Sequence, residues 1–281
     1  MIRRLALLSI LLAGPAQAGS IAITHARLHT LSSAGVLENA TLVIRNDVIE
    51  AIGVDVAVPE DAKVIDAKGK AITPGLFDAY THIGLEEISA VEESNDSGSN
   101  NPRYSAALDV TDGLNPRSVL VPVNRIEGIT HAMSAPVSGA EGPLLAGRGA
   151  VVSLGTLNAF VARPQAAMFV SLGEAGAAHI KGGRPALLLA LREAFEEAQQ
   201  LGNSSSVQRP AQLGLLDAEA LKPVLAGEMP LVATVHRAAD IRVLLRLADD
   251  YGVKLIVRGG AEAHLLAAEL AAKQVPVILD P

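Results

Sequence analysis

The chain contains no cysteine and no tryptophan, and only four phenylalanines and three tyrosines occur among its 281 residues. Without cysteine there can be neither disulfide bonds nor thiolate metal ligands, so a bound metal would need imidazole, carboxylate or a modified lysine. Dense clusters of lysine and arginine are also missing, which argues against an electropositive groove for nucleic acid. We therefore expect no nucleic acid among the partners.

Aliphatic residues dominate the apolar content, which is 49% of the sequence. A chain of this length and composition can bury a substantial core. Branched aliphatic side chains are typical of parallel strands that are covered by helices. The composition therefore favours an α/β fold.

The first residues show the three parts of a secretory signal peptide in order. Arg3 and Arg4 form a positive start, residues 5–12 form an apolar core, and Ala16-Gln17-Ala18 is a small-residue cleavage site. The apolar run is too short to span a bilayer in the mature chain. We predict cleavage near Ala18 and a periplasmic or secreted protein, the alternative being an ordinary N-terminal helix. Losing both arginines would make the formal charge of −7 two units more negative.

The N-terminal region has the pattern of a small β domain. Short apolar strands alternate with turns, and they are predicted over residues 21–24, 41–44, 48–53 and 64–70. A long polar segment, residues 86–118, comes later in the chain and has few apolar side chains and many turn formers. That segment is either a floppy surface excursion or a lid over a pocket, and both interpretations stay open.

From residue 185 onward, helices and strands alternate. The pattern predicts helices over 185–201, 217–226 (capped by Asp217), 238–251 and 261–273, and strands over 231–235, 253–257 and 275–279. Such repeats form βαβ units with a parallel sheet. With an apolar strand at 71–73 included, about seven strands precede residue 281, one fewer than a closed (β/α)8 barrel needs.

Two motifs resemble one known family. Pro74-Gly75-Leu76-Phe77-Asp78-Ala79-Tyr80-Thr81-His82 resembles the Pro-Gly-x-x-Asp-x-His-x-His signature of the amidohydrolase superfamily, with Tyr80 where the family has its first histidine. Val235-His236-Arg237-Ala238-Ala239-Asp240-Ile241 resembles the segment that carries the family's fifth-strand metal ligand. The resemblance covers residues 21–281 and is greatest to secreted, imidazolonepropionase-like members.

The resemblance implies three parts. Residues 1–18 would be the signal peptide, and residues 19–73 would be the N-terminal half of a β-sandwich that the family completes with its C-terminus. Residues 74–281 would form an α/β (β/α)8 TIM-type barrel that is incomplete at the C-terminus, because its last strand is missing. We therefore expect a C-terminally truncated chain.

The resemblance also implies a metal site at the carboxyl ends of the barrel strands. His82 and His236 match ligand positions, and Glu174 follows a predicted strand over residues 166–172 where relatives place an acidic ligand. Two histidines and one acid suit a single zinc ion with an open position for water. Two alternatives stay open: Glu174 as an exposed loop acid, and a site without zinc.

Tyr80 and Arg258 are the candidate catalytic residues outside this ligand set. The Tyr80 hydroxyl could donate a hydrogen bond to an oxyanion. Arg258 stands at the sixth strand end, where the family has another histidine, and it cannot bind a cation. It would bind a carboxylate or phosphate of the substrate, or neutralise the space of a metal. His131, alone among apolar neighbours, is expected to be structural.

The function implied by the resemblance is hydrolysis of a non-peptide C–N bond in a small amide or cyclic amide, with water activated by at most one metal ion. The family's general-base aspartate would lie beyond residue 281. A catalytically silent periplasmic binding protein with the same fold is the alternative that Tyr80 and Arg258 favour, and a hinged two-lobe solute-binding protein is a third. Assembly as a homo-oligomer is left open.

Overall fold

The computed structural model describes residues 19–88, 91–102, 105–139, 141–155, 159–200 and 213–280. The predicted signal peptide lies outside these ranges. Within them, no helix has the length and apolar character needed to cross a membrane. The chain divides into two compact units, Met1–Pro74 and Gly75–Pro281.

The described residues of the first unit form one five-stranded sheet. Its strands are β1 (Ser20–His29), β2 (Val36–Arg45), β3 (Val48–Gly53), β4 (Lys63–Asp66) and β5 (Ala71–Ile72). β1 pairs antiparallel with β2, and β2 pairs antiparallel with β3. β4 and β5 both run parallel to β1, so the predicted strand at 64–70 is not part of a hairpin with its predecessor. Alanine and leucine side chains of β1 and β2, together with Ala67 after β4, form the core of this unit.

The segment before Pro74 belongs to this first sheet. Ala71–Ile72 pairs with Arg27 and Leu28 of β1, and Ile72 packs against the core of the first unit. The prediction that 71–73 is the first barrel strand is therefore wrong. Proline has no N–H to continue the ladder, and the next strand starts only after the Pro-Gly turn.

The second unit contains the large sheet and its helices. Its strands are β6 (Leu76–Thr81), β7 (Gly98–Ser99), β8 (Ile129–Ser134), β9 (Val137–Ser138), β10 (Leu145–Ser153), β11 (Val161–Ser171), β12 (Leu231–Val235), β13 (Leu255–Gly259) and β14 (Val277–Ile278). Its helices are α1 (Leu120–Ile126), α2 (Gly173–His179), α3 (Arg184–Gln200), α4 (Leu215–Leu225), α5 (Ala238–Tyr251) and α6 (Ala267–Ala272). The seven-stranded sheet has the order β14-β13-β12-β11-β10-β8-β6, while β7 and β9 pair separately.

One strand of the large sheet runs against the others. β10 is antiparallel to both β8 and β11, whereas β6 pairs parallel with β8 and the strands from β11 to β14 pair parallel in sequence order. β10 and β11 are consecutive and antiparallel, so this part of the sheet is not a βαβ unit. Gly149 permits the close contact between them, because a Cβ there would lie 2.5 Å from Cε2 of Phe169.

The large sheet curls into a barrel-type fold. β6 and β13 are five places apart in the strand order, a separation of roughly 24 Å if the sheet were flat. Nevertheless, Cζ of Arg258 on β13 lies 3.5 Å from the ring centroid of Tyr80 on β6. The Tyr80 ring also meets Phe169 of β11, with centroids 5.9 Å apart. The expected α/β barrel-type architecture is confirmed, with the reversed β10 as the departure from strict (β/α) repetition.

Helices α3, α4 and α5 cover the sheet with apolar faces. Leu187, Leu191 and Phe195 follow one another at helical spacing along α3, and all three are buried in the main core. Helix α5 ends where Gly252 adopts a left-handed conformation with φ of 69°. The helices predicted from 185 and 238 are thus confirmed.

The long segment between β6 and α1 is folded in its described residues. The Glu87 carboxylate accepts hydrogen bonds from the Asn115 side chain at 2.8 Å and from the Ser118 hydroxyl at 3.0 Å. Leu108 packs on β10, where its carbonyl accepts the Arg148 N–H at 2.8 Å. The floppy-excursion interpretation does not fit these contacts, and the lid interpretation stays a prediction.

Asp217 ties the same segment to α4. It was expected to cap the helix, but the N-cap residue is Gly214, and Asp217 lies within the first turn. Its side chain is buried, and Oδ1 accepts the backbone N–H of Ala107 at 2.8 Å. The cap prediction is wrong because the carboxylate serves a distant backbone amide instead.

Candidate functional site

His82 stands immediately after β6 with its ring held in one orientation. Its Nδ1 lies 2.8 Å from the carbonyl oxygen of Ala135. Because a carbonyl only accepts, Nδ1 must carry the proton and Nε2 keeps its lone pair when the ring is neutral. The His82 and Tyr80 rings meet edge to face with centroids 5.4 Å apart, as expected for residues two apart on one face of a strand.

Tyr80 is half-buried between aromatic and charged neighbours. Burial raises the pKa of its phenol; the Arg258 guanidinium acts in the opposite direction, and Asp280 acts with burial. The net shift is upward from an ordinary value of 10.0. At neutral pH, Tyr80 is therefore protonated and can donate a hydrogen bond.

Arg258 extends from β13 over the face of the Tyr80 ring, where a cation is attracted to the π electrons. Its Nη1 donates to the Thr234 hydroxyl across a long 3.4 Å. Its Nε lies 3.2 Å from Oδ1 of Asp280, yet this buried atom has no hydrogen bond of acceptable geometry among the described residues. The contact with Asp280 is thus an ion pair without a well-directed hydrogen bond. The ends of β6, β12 and β13 converge on this guanidinium.

His236 follows β12 and is exposed. Its ring lies against the backbone of Gly259, where a Cβ would be 2.5 Å from His236 Cε1. Gly259 also has a φ of 83°, so a side chain there would be strained and would displace the imidazole. The histidine is therefore positioned by a glycine at the end of the neighbouring strand.

Glu174 lies in the first turn of α2 with 87% of its side chain exposed. It pairs with Nη2 of Arg184 at 3.1 Å, and the same guanidinium binds Asp240 through Nε at 3.0 Å. These hydrogen bonds raise the pKa of Arg184, that to Asp240 most strongly. The geometry matches the exposed-acid alternative for Glu174.

The residues present do not fit the expected zinc ion. Within the described ranges, no group of three or more His, Asp or Glu side chains is placed to hold a metal. His82, Glu174 and His236 are thus not brought together as one ligand set. The fixed positive charge of Arg258 also repels a cation from the space beside Tyr80. The geometry supports no step that passes through a metal ion.

A cavity of about 520 Å³ lies along the end of β6. Its lining includes Tyr80, His82, Glu86 and Glu87, so the candidate residues border space for a small molecule. Another cavity, of about 460 Å³, lies at the amino ends of β12 to β14. Barrel enzymes keep their catalytic residues at the carboxyl ends of strands, and the first cavity is therefore the candidate site.

Two residues of this cluster were missed by the sequence analysis. Thr234 sits one residue before the end of β12, and Asp280 follows β14. Asp280 carried a usable signal, since it is an acid directly after a predicted strand. The family resemblance instead implies a strand-end acid beyond residue 281, so it does not single out Asp280. Arg258 and Tyr80 were identified, but nothing in the sequence showed that they touch.

Comparison with known proteins gives short sequence matches of higher identity and one long match of lower identity. No protein-family model matches the chain. The chain is 42% identical over 60 residues to the imidazolonepropionase of Geobacillus kaustophilus, which is 19% of this chain and 14% of that protein. It is 25% identical over 254 residues to amidohydrolase tasK of Hapsidospora irregularis, which is 79% of this chain and 25% of that protein. The chain therefore spans at most about a quarter of these curated relatives.

A solved structure supports the architecture. The fold superposes on an amidohydrolase from Thermotoga maritima with a TM-score of 0.76 and 24% sequence identity. The superposition covers 93% of this chain and 70% of that one. The likeness establishes the barrel-type fold, and the sequence matches are to parts of proteins named imidazolonepropionase and amidohydrolase.

Proposed function

We propose that this chain, which belongs to the amidohydrolase superfamily, hydrolyses a non-peptide C–N bond in a small amide or cyclic amide. The observation that carries the proposal is the cluster of Tyr80, His82 and Arg258 at the strand ends, beside a cavity of about 520 Å³. Relatives named imidazolonepropionase and amidohydrolase support the reaction class.

The chain's own residues supply acid–base groups for this reaction. His82 presents Nε2 with a lone pair, since Nδ1–H is bound by Ala135, and it accepts a proton from the attacking water. The carbonyl oxygen gains negative charge as water adds, and the protonated phenol of Tyr80 donates to it. The proton then passes from His82 to the leaving nitrogen as the C–N bond breaks. This sequence of proton transfers needs no metal ion.

A second candidate function is a catalytically silent binding protein. The observation that favours it is the stacking of Arg258 on Tyr80, because this pair stands where the family resemblance implies metal-binding histidines. Such a protein would hold the same class of small amide without turnover.

The experiment is a hydrolysis assay on the purified protein combined with metal analysis. Hydantoins, dihydrouracil and N-acyl amino acids serve as substrates, and ring opening or amine release is followed by NMR. Turnover that falls about 10²- to 10⁴-fold in His82→Asn, while His264→Asn keeps full activity, supports the proposed base. His264 is an exposed histidine whose Nδ1 also faces a backbone carbonyl, so it is a matched control.

Two results would redirect the proposal. Binding of the panel without any turnover establishes the silent binding protein. About one zinc per chain, with activity lost on chelation and restored by zinc, replaces the His82 mechanism by metal-activated water.

The location of the protein is proposed as periplasmic or secreted, on the pattern of residues 1–18. Expression with an intact start, followed by cell fractionation and N-terminal sequencing, tests this. A mature protein beginning near Gly19 is expected, whereas an uncleaved cytoplasmic product contradicts it.

A further inference from the structure

We infer that Arg258 recognises the carboxylate of a small-molecule ligand, and that Asp280 is an internal counter-ion which this carboxylate displaces. The inference deepens the proposed function by naming the class of ligand, and it rests on that function's placement of the substrate at the ends of β6 and β13.

The first support is the unused donor capacity of the guanidinium. Arginine has five N–H donors in a planar fork that matches a carboxylate. Among the described residues, the hydrogen bonds of Arg258 amount to one long contact with Thr234. Its Nε is buried and lacks a hydrogen-bond acceptor in good geometry. A group with this much unmet capacity in a half-buried position is ready to receive an anion.

The second support is that the guanidinium is held in place before any ligand arrives. The Tyr80 ring lies under it at 3.5 Å, and this ring is itself fixed by edge contacts with His82 and Phe169. Stacking on one face leaves the edge of the fork free to bind. Less conformational freedom is then lost on binding, which favours affinity.

The third support is that Asp280, the counter-ion of Arg258 in this structure, is bound weakly. The Asp280 side chain is 40% exposed, and its contact with Nε is an ion pair without a well-directed hydrogen bond. Ion pairs with an exposed partner contribute little stability. A ligand carboxylate that makes two directed hydrogen bonds would displace it.

The cavity limits what the rest of the ligand can be. Tyr80 forms part of the cavity lining and also stacks on Arg258, so the guanidinium lies one ring away from this space and a ligand that spans the Tyr80 ring would reach both. Glu86 and Glu87 lie in the same lining and disfavour a second negative charge there. The ligand is therefore expected to have a carboxylate at one end and an uncharged amide at the other.

Binding of a matched pair of probes to the full chain tests this. N-acetylglycine carries the carboxylate, and N-acetylglycinamide is the same molecule without the charge. We expect titration by ligand-observed NMR at low salt to favour the acid by about tenfold to a hundredfold, as for a charge-assisted hydrogen bond. Arg258→Gln should remove this preference, while Arg242→Gln, which alters an exposed pair with Glu269 on the outer helices, should keep it.

Asp280→Asn supplies a second test that leaves the core unchanged. Removing the competing carboxylate should tighten N-acetylglycine binding several-fold and leave N-acetylglycinamide unaffected. Equal or absent binding of the two probes overturns the inference, as does an Asp280→Asn variant without tighter binding. These titrations measure binding rather than turnover, so a protein that fails to hydrolyse amides can still confirm the site, and an active hydrolase can still refute it.

Discussion

The hydrogen bond between Asp217 and Ala107 provides a sharp test of how the second unit is held together. Asp217 is 7% exposed, and its carboxylate accepts a backbone N–H from a segment 110 residues away in the chain. A hydrogen bond to a charged group contributes about 1.5–3 kcal/mol, and its loss strands a half-buried donor. We expect Asp217→Ala to lower the free energy of unfolding by about 2–3 kcal/mol. Asp217→Asn keeps an oxygen acceptor, so its free energy of unfolding should fall by about half as much.

Two measurements read out this prediction. Urea unfolding followed by circular dichroism gives the free energy, and hydrogen exchange of the Ala107 amide reports the bond itself. Glu219→Ala on the same helix is the control, because it removes only an exposed pair with Lys222 and should cost at most about 1 kcal/mol. If the Ala107 amide is equally protected from hydrogen exchange in Asp217→Ala, the bond does not hold the segment. This conclusion is independent of any change in the free energy of unfolding.

Three further predictions concern the core, the long segment and acid stability. Phe195→Ala should cost about 3–5 kcal/mol in urea unfolding because the ring is fully buried, whereas Leu189→Ala, 55% exposed on the same helix, should change little. Gly98→Ala should open the β7–β9 pairing to limited proteolysis, because its Cβ would lie 1.7 Å from a carbonyl oxygen of β9; Gly19→Ala, with open space around it, should not. Burial acts to raise the pKa of the Asp109 carboxyl, but its hydrogen bonds outweigh burial and hold this pKa below the ordinary value of 3.8. The ionised Asp109 therefore stabilises the folded protein fully above pH 3.8. This stabilisation is lost as the pH falls through the lower pKa that Asp109 has in the folded state. Unfolding of Asp109→Asn should accordingly depend less steeply on acid, and identical pH profiles for variant and parent would contradict this.

The regular half of the second unit could be predicted from sequence because its signals are local. The strand at 231–235 and the helix at 238–251 were predicted with the bounds observed for β12 and α5. The next strand was predicted at 253–257 but runs from Leu255 to Gly259. Val253 is apolar and buried, so it looks like a strand residue, although its N–H closes the end of α5 on Ala248. Tertiary position, which hydrophobicity does not reveal, decides such cases.

The β10–β11 hairpin was missed for a different reason. Residues 145–153 are apolar and carry two glycines, so their pattern does not separate a buried strand from a loop. The expectation of strand–helix alternation also offered no place for an antiparallel strand. The conformation of β10 is set by its partners, Met133 and Ser134 on one side and Phe169 on the other. These contacts are distant in sequence and leave no local signal.

Tyr80, His82 and Arg258 could be named individually from the sequence, whereas Thr234, Asp280 and the arrangement of the cluster could not. Tyr80 and His82 could be placed on one face because strand periodicity fixes it. The contact of Arg258 with Tyr80 depends on how far the sheet curls, and the ion pair with Asp280 depends on where β14 ends. Whether the predicted metal ligands His82, Glu174 and His236 lie close enough to share one ion likewise depends on the three-dimensional structure. The zinc ion and the signal peptide stay predictions.

The reversed strand β10 ties two parts of the chain into one module. β10 is followed directly by its hairpin partner β11, and the long segment between β6 and α1 packs on β10. The carbonyl oxygen of Leu108 accepts the N–H of Arg148. A Cβ at Gly147 would lie 2.7 Å from the same carbonyl oxygen. Val110 shares a buried cluster with Ala150. The segment that borders the candidate site is thus also a structural layer of the sheet. A relative that exchanges this segment must change the hairpin with it, so the two should be inherited, grafted or engineered together.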